Sequence, residues 1–555
     1  MRLISILIVF TFLTTVTFSQ KKTDGGKPKL VVGIVVDQMR YDYIYTYWDK
    51  LSSNGFKKLV NKGYNCKNTN YNYVPTYTGP GHASIYTGTT PAVHGIISND
   101  WYNAKNGKDV YCVSDSLFQT VGAVSPNGKM SPSLLLTTTI GDELKINSNG
   151  KSKVIGVSLK DRAAILPAGH NADGAYWLCD STGNWITSSF FENELPQWVK
   201  NYNDKKRVDE LLSKKWETYY PIEQYTESLE DNSKYERKFK GEKAPVFPHD
   251  LPLVFDSLTK RKYSLIKATP FGNTTTKEMA IEAIKGEQLG KDFYTDMLCV
   301  SFSSPDYIGH QFGPKSIEQE DDFIRLDLEI SELITFLEKE VGKDNFVLFL
   351  TADHAAVDVP SFLSDQKIPA GYTNLSYAGK IFDSLLKAKL GIPDEQGSFL
   401  SKVMNQQVYF NHDFISNIKI NPYEVEDYFI QSFKKLDGVL QIYTSSEMEK
   451  TDYTDLVPGN IQNGYYAGRS GDLIINLEPG WVEYYKTGTT HGSPYSYDSH
   501  VPLIWYGKKI TPGFTSEFIP ITHIAPTICL MLDIPFTSGN TGQPIPEIVK
   551  GFNRK

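Results

Sequence analysis

The chain has 555 residues, 40% of them hydrophobic and 22% charged, with no long low-complexity tract. That is an ordinary globular composition, long enough for a sizeable core and a cleft. The formal net charge of −7 argues against nucleic acid as a partner, because such binders carry a basic excess to neutralise phosphates.

In chain order, Met1-Arg2 supplies a positive charge and Leu3 to Phe18 is an apolar run broken only by Ser and Thr. Thr17 and Ser19 stand at the −3 and −1 positions of a cut before Gln20. The segment 1–19 thus reads as a secretory signal peptide. The run is short of the ~20 apolar residues of a bilayer-spanning helix. The expected product is a soluble periplasmic or secreted protein, with no membrane contact after cleavage. Five cysteines, Cys66, Cys112, Cys179, Cys299 and Cys529, follow. In an oxidising compartment they predict one or two disulfides and at least one unpaired thiol. No C-x-x-C occurs, which disfavours a thiolate zinc site.

Lys29 to Val36 is a continuous Val/Ile-rich run ending at Asp37. Such runs suit parallel strands buried on both faces. Three more repeat the pattern: Val154 to Leu159 before Lys160, Met297 to Ser303 before Asp306, and Phe346 to Leu350 before Asp353-His354. Helices are expected at Gly79–Tyr86, at Ile317–Val341 with a stripe that includes Ile324, Ile330 and Leu337, and at Ile524–Leu532. Alternating strands and helices predict an α/β fold with a mostly parallel central sheet flanked by helices. Ligands of open α/β sheets bind outside the carboxyl ends of the strands, where this pattern places Asp, Lys, Arg and His.

Residues 28–545 are read as one catalytic domain with two accessory insertions, near 172–263 and 360–480. The first begins with a hairpin over Ala172–Phe191, turning at Asp180-Ser181-Thr182-Gly183-Asn184.

Asp306 and His310 are four residues apart, so one helical turn brings both to a single metal. Adjacent Asp353 and His354 reach two metals from one backbone corner. Asp37 directly follows a buried strand, and His491 lies in Thr489-Thr490-His491-Gly492-Ser493. Read singly, each has a bland alternative: a capped helix start, a turn, an N-cap or a loop histidine. Together they form a nitrogen/oxygen ligand set suited to a zinc pair ~4 Å apart for in-line displacement at phosphorus.

Thr76-Tyr77-Thr78-Gly79-Pro80-Gly81-His82 precedes a predicted helix. Thr78 then sits at its N-terminus, where the dipole and unpaired N–H groups favour an anion. A bound cation would hold its hydroxyl as an alkoxide. Thr76 is a rival hydroxyl. Asn99 is a candidate amide donor to a phosphoryl oxygen. Lys160 and Arg162 share one face at a spacing of two, a phosphate clamp.

In this order the pieces resemble the alkaline phosphatase superfamily. Thr78-Gly-Pro-Gly-His82, with Thr87-Gly88, His94-Gly95 and Asn99, is similar to the nucleophile segment of nucleotide pyrophosphatase/phosphodiesterases. Lys160, Arg162, Leu166-Pro-Ala-Gly-His170 and Ala172-Asp-Gly-Ala-Tyr-Trp177 are more similar to the PafA-type alkaline phosphatases of Bacteroidetes. The resemblance implies two zinc ions per chain: one held by Asp306, His310 and His491, the other by Asp37, Asp353 and His354 with Thr78 bridging to substrate. It implies a phosphothreonine intermediate on Thr78, with Asn99, Lys160 and Arg162 on the non-bridging oxygens. The implied substrates are small phosphate monoesters, and the chain is expected to act as a monomer. Two cationic donors favour a monoester dianion, whereas the threonine segment keeps a phosphodiesterase on the same scaffold as the alternative. No third carboxylate cluster matches a magnesium site, and Lys160 and Arg162 stand in its place.

Overall fold

The structure, a computed structural model, describes residues 26–454 and 456–552. The expected signal peptide lies outside the described residues.

The four expected apolar runs form adjacent strands. Leu30–Val36 lies between Asp296–Phe302 and Phe346–Thr351, parallel to both. Val154–Ser158 pairs in parallel with Asp296–Phe302, and Gly174–Leu178 with Val154–Ser158. Every residue of these five strands is buried. Helices cover both faces of a parallel sheet, so its strands carry no polar alternation. The margins run the other way: Leu503–Gly507 is antiparallel to Phe346–Thr351 and to Tyr64–Asn70, and Trp185–Ser188 is antiparallel to Gly174–Leu178. The fold is therefore α/β, with a parallel centre and antiparallel flanks.

Register positions the site. Val36 is level with Phe302, Val35 with Thr351, and Ser158 with Ser301. The strands thus end together, and the residues that follow them share one rim. The Asp37 N–H extends the ladder by one bond, to the Phe302 carbonyl at 2.9 Å.

The long helix spans Ile317–Leu337, with the Ser316 hydroxyl accepting the Gln319 N–H at 3.1 Å as its N-cap. Ile324, Ile330 and Leu337 are buried as expected. A wider helical turn, Glu338–Gly342, extends it. Less expected is that Glu318, Glu320, Asp321, Asp322 and Asp327 on the same helix are also buried. Several of them accept hydrogen bonds from other segments: Asp327 from the Phe56 N–H, Asp321 from the Trp216 indole N–H and the Tyr219 N–H.

The hairpin over Ala172–Phe191 forms, but its first strand extends the central sheet instead of standing apart as an insertion. Both of its strands are buried, so the sheet is where they satisfy their backbone. Within 360–480, strands Leu400–Met404, Gln407–Phe410, Leu473–Leu477 and Val439–Thr444 make a separate antiparallel sheet. Its own core includes Leu375, Phe399, Phe429 and Phe433.

The disulfide expectation is corrected: all five cysteines are free and buried. They lie on separate elements, with Cys66 and Cys299 in strands and Cys529 in the helix Ile524–Leu532. Cys66, Cys299 and Cys529 pack as small side chains in the core, whereas the Cys179 sulfur lies 3.2 Å from the Ser181 hydroxyl.

Candidate active site and metal groups

The predicted ligands converge as two triads at the rim. Asp306, His310 and His491 form one, and Asp37, Asp353 and His354 the other. In the first, His310 Nε2 and His491 Nε2 lie 3.1 and 3.5 Å from Asp306 Oδ1. In the second, His354 Nε2 lies 3.4 Å from Asp37 Oδ1 and 3.5 Å from Asp353 Oδ2. The His354 and His491 rings stack 3.4 Å apart, which makes the triads neighbours.

The donors fit divalent cations. Nδ1 of His310 meets the Thr489 carbonyl at 2.7 Å, Nδ1 of His491 the Thr76 carbonyl at 2.7 Å, and Nδ1 of His354 the Ala355 carbonyl at 3.1 Å. A carbonyl only accepts, so each Nδ1 carries the hydrogen and Nε2 is the ring nitrogen turned toward the carboxylates, the one that would ligate a cation. Burial opposes charge on His310, but Asp306 raises its pKa, so a cation there would take the place of a proton. Asp37 Oδ1, Asp353 Oδ2 and His354 Nε2 are buried without a hydrogen-bond partner. Three orphaned acceptors around one point are costly unless a cation joins them.

Local structure explains each position. Asp306 and His310 ride the helix Ser304–Phe312, whose i,i+4 spacing puts them on one face. The His491 loop is tied by the Asp498 carboxylate, which accepts the Gly492 and Ser493 N–H groups at 3.0 and 2.8 Å. The sequence reading missed Asp498, and nothing but its distance of seven residues from His491 signals it.

Electrostatics follows from burial. Burial, helped by Asp306, pushes the Asp37 carboxyl up to about 6. Burial and Asp37 hold Asp353 well above the usual carboxylate range. Burial works upward on Asp306 too, but His310 and Lys160 hold it well below that range. Burial, with His491 beside it, keeps His354 neutral. Two carboxyls that resist ionisation next to a neutral imidazole signal a missing positive charge.

Thr78 opens the helix Thr78–Thr87 and is 1% exposed. Pro80 is harmless there because N–H groups of the first turn lack helical partners anyway. Gly81 is required by contact: a Cβ would lie 2.4 Å from the Asp353 carbonyl oxygen. The helix that Thr78 opens and the Asp353 corner are thereby pressed together. The rival Thr76 donates its hydroxyl to the Ser493 carbonyl at 3.2 Å.

Lys160 and Arg162 both reach Thr78. Lys160 Nζ and Arg162 Nη2 each lie 3.4 Å from Thr78 Oγ1. They do so differently from the expected strand alternation: Lys160 is the N-cap of the helix Asp161–Ala168 and Arg162 lies in its first turn. The strand has already ended at Ser158, so helical geometry sets their directions. Lys160 Nζ also bridges Asp37 Oδ2 and Asp306 Oδ2, at 2.6 Å each, and so links the two triads. Arg162 donates through Nη1 to the Tyr111 hydroxyl at 3.2 Å, while its Nε is buried without a partner. Asn99 Oδ1 accepts the Gly79 N–H at 2.7 Å, which fixes the amide so that its NH₂ is the end left for other partners.

The sequence model of the type I phosphodiesterase / nucleotide pyrophosphatase family matches residues 31–500. Among curated proteins, the chain is 43% identical over 534 residues to alkaline phosphatase PafA of Elizabethkingia meningoseptica, covering 96% of each chain. It is 43% identical over 525 residues to alkaline phosphatase PhoV of Synechococcus elongatus, covering 95% of this chain and 94% of that one. A Myroides odoratus protein named a calcium-transporting ATPase is 45% identical over 529 residues, covering 94% of this chain and 95% of that one. The crystal structure of wild-type PafA superposes with a TM-score of 0.90 at 44% identity, covering 94% of this chain and 99% of that one.

With this fold and these paired triads, the chain belongs to the type I phosphodiesterase / nucleotide pyrophosphatase family, within the alkaline phosphatase superfamily. Inside that family it is a hydrolase of the PafA type. Among the described residues, no helix is long and apolar enough to cross a membrane.

Proposed function

We propose that the chain is an exported alkaline phosphatase that hydrolyses small phosphate monoesters through a phosphothreonine on Thr78. The observation that carries this reading is the convergence of two permanent cations, Lys160 and Arg162, on the Thr78 hydroxyl beside both triads. The names of PafA and PhoV support the same activity.

In this reading the triads hold zinc, whose Lewis acidity favours charge on the entering and leaving oxygens. The Thr78 oxygen displaces the substrate alcohol at phosphorus, and water later releases phosphate and restores the hydroxyl. The guanidinium of Arg162 and the ammonium of Lys160 attract the non-bridging oxygens, and the Asn99 NH₂ adds a neutral donor. Desolvation opposes charge on Lys160, but Asp306 and Asp37 raise its pKa, so it stays an ammonium. The helix N-terminus at Thr78 favours the dianion further. Tyr111 and Asp161 hold Arg162 from behind: the Tyr111 hydroxyl donates to Asp161, and Asp161 also accepts the Arg162 N–H.

A phosphodiesterase is the second reading, favoured by the family that matches residues 31–500. A diester carries one charge fewer and a second bulky group, so two cations at the nucleophile serve it less well. Comparing kcat/KM for an aryl phosphate monoester and its methyl diester separates the two. The proposal requires a preference for the monoester by orders of magnitude, and a preference for the diester overturns it.

A further inference from the structure

Gln38 stands between the triads in a conformation that a glutamine rarely takes. Its φ is +62°, in the left-handed region, and its side chain is fully buried. A β-carbon in that region crowds the backbone, so glycine is the usual occupant. The side-chain oxygen, Oε1, is also buried without a hydrogen-bond partner. A strained backbone and an unsatisfied acceptor in one residue need a compensating role.

The compensation lies in what its two N–H groups reach. The backbone N–H donates to Asp353 Oδ1 at 3.2 Å, and the side-chain amide Nε2 donates to Asp306 Oδ1 at 2.7 Å. One residue thus grips one carboxylate of each triad. The left-handed φ, a rotation about the N–Cα bond, sets where the Gln38 side chain leaves relative to its own N–H, and in this setting the N–H lies on Asp353 while the amide reaches Asp306. Gly309 completes the arrangement: a Cβ there would lie 1.9 Å from Gln38 Oε1. The missing side chain at Gly309, one residue before His310, is the space in which the amide lies.

We propose that Gln38, seated against Gly309, is a positioning residue that fixes the distance and orientation of Asp306 relative to Asp353 and thereby sets how tightly the Asp306 triad holds its cation. This rests on the reading of the triads as cation sites. Loss of a partner that orients a ligand costs about 10- to 100-fold in metal affinity. Gln38→Gly removes the amide but suits the left-handed backbone and keeps the N–H to Asp353. Gly309→Ala drives a methyl group into the same amide and should reproduce the defect by another route.

The test is release of zinc to an excess of a chromogenic chelator from the fully loaded protein, followed with time, beside the melting temperature of the metal-free protein. Wild type should release two equivalents. In Gln38→Gly one equivalent should leave at least tenfold faster, the other at nearly the wild-type rate, and the metal-free protein should melt no lower than wild type. Gly309→Ala should show the same single fast phase, and adding it to Gln38→Gly should add little. Unchanged release of both equivalents in Gln38→Gly overturns the role of Gln38 and leaves the triads intact as sites. Wild type that holds no zinc overturns the cation reading itself.

Discussion

Thr78 and Thr76 are two residues apart, and only their surroundings separate them. The Thr76 hydroxyl is engaged with the Ser493 carbonyl, whereas Lys160 and Arg162 lie against the Thr78 hydroxyl. Thr78→Ala should therefore lower kcat for an aryl phosphate by orders of magnitude, since the proposed covalent route would be lost. Thr76→Ala should stay within about tenfold of wild type, roughly 1.4 kcal/mol in barrier. Steady-state kinetics on both variants checks this, and a reversed order would move the nucleophile to Thr76. Arg162 carries a second prediction. Its half-buried guanidinium reaches the Thr78 hydroxyl through Nη2 and keeps a buried Nε without a partner, so it has donor capacity to offer an anion. Arg162→Ala should reduce kcat/KM for the monoester more than for the diester, because the monoester has the additional charge to lose; equal losses would remove that role. At this scale the sequence was informative where candidate ligands adjoin strand ends, as with Asp37 and Asp353-His354, which the structure brings into one cluster. Gln38 was not legible, because a polar residue after Asp37 looks like the first residue of a capped helix. Only its positive φ and its reach to Asp306 reveal it.

At the scale of elements, the buried strands declared themselves through continuous apolar runs, and the site follows from their common register. The helix Ile317–Leu337 was legible by its apolar stripe but not by its buried acids, since a carboxylate on a helix reads as a solvated face. One of these acids makes a pH-sensitive junction. His249, from the segment around 192–263, is fully buried between Glu242 and Glu318, with Nδ1 and Nε2 each 3.1 Å from a carboxylate. Burial works against its charge, but the two glutamates outweigh it and raise its pKa from 6.5 to about 9. The stabilisation is fully present below 6.5 and is lost as pH rises through about 9. Burial, with Glu318 nearby, also pushes the Glu236 carboxyl up to about 11, so this junction folds with a proton taken up and weakens further toward alkaline pH. Urea unfolding across that range should show a falling midpoint in wild type and a flatter profile in His249→Gln. Parallel profiles would rule out the imidazolium.

At the scale of the whole molecule, the separate antiparallel sheet within 360–480 braces the site from outside. Asn405 donates to Ser98 Oγ at 3.0 Å and to the Asp100 carbonyl at 2.7 Å, on either side of Asn99. Arg469 donates to the carbonyls of Gly95 and Leu134 nearby. A region that reads as an accessory insertion thereby holds the loop that carries a candidate phosphate donor. Sequence could not show this, because the contacts join positions some 300 residues apart. The same distance problem hides how Lys160 comes to link Asp37 and Asp306. The account stands on the two triads holding divalent cations next to Thr78. Its most direct test is anomalous diffraction at the zinc absorption edge from crystals of zinc-loaded protein. Two peaks are predicted, one among Asp306, His310 and His491 and one among Asp37, Asp353 and His354. Density maps with no anomalous peak in either triad, from protein that still turns over substrate, would contradict it.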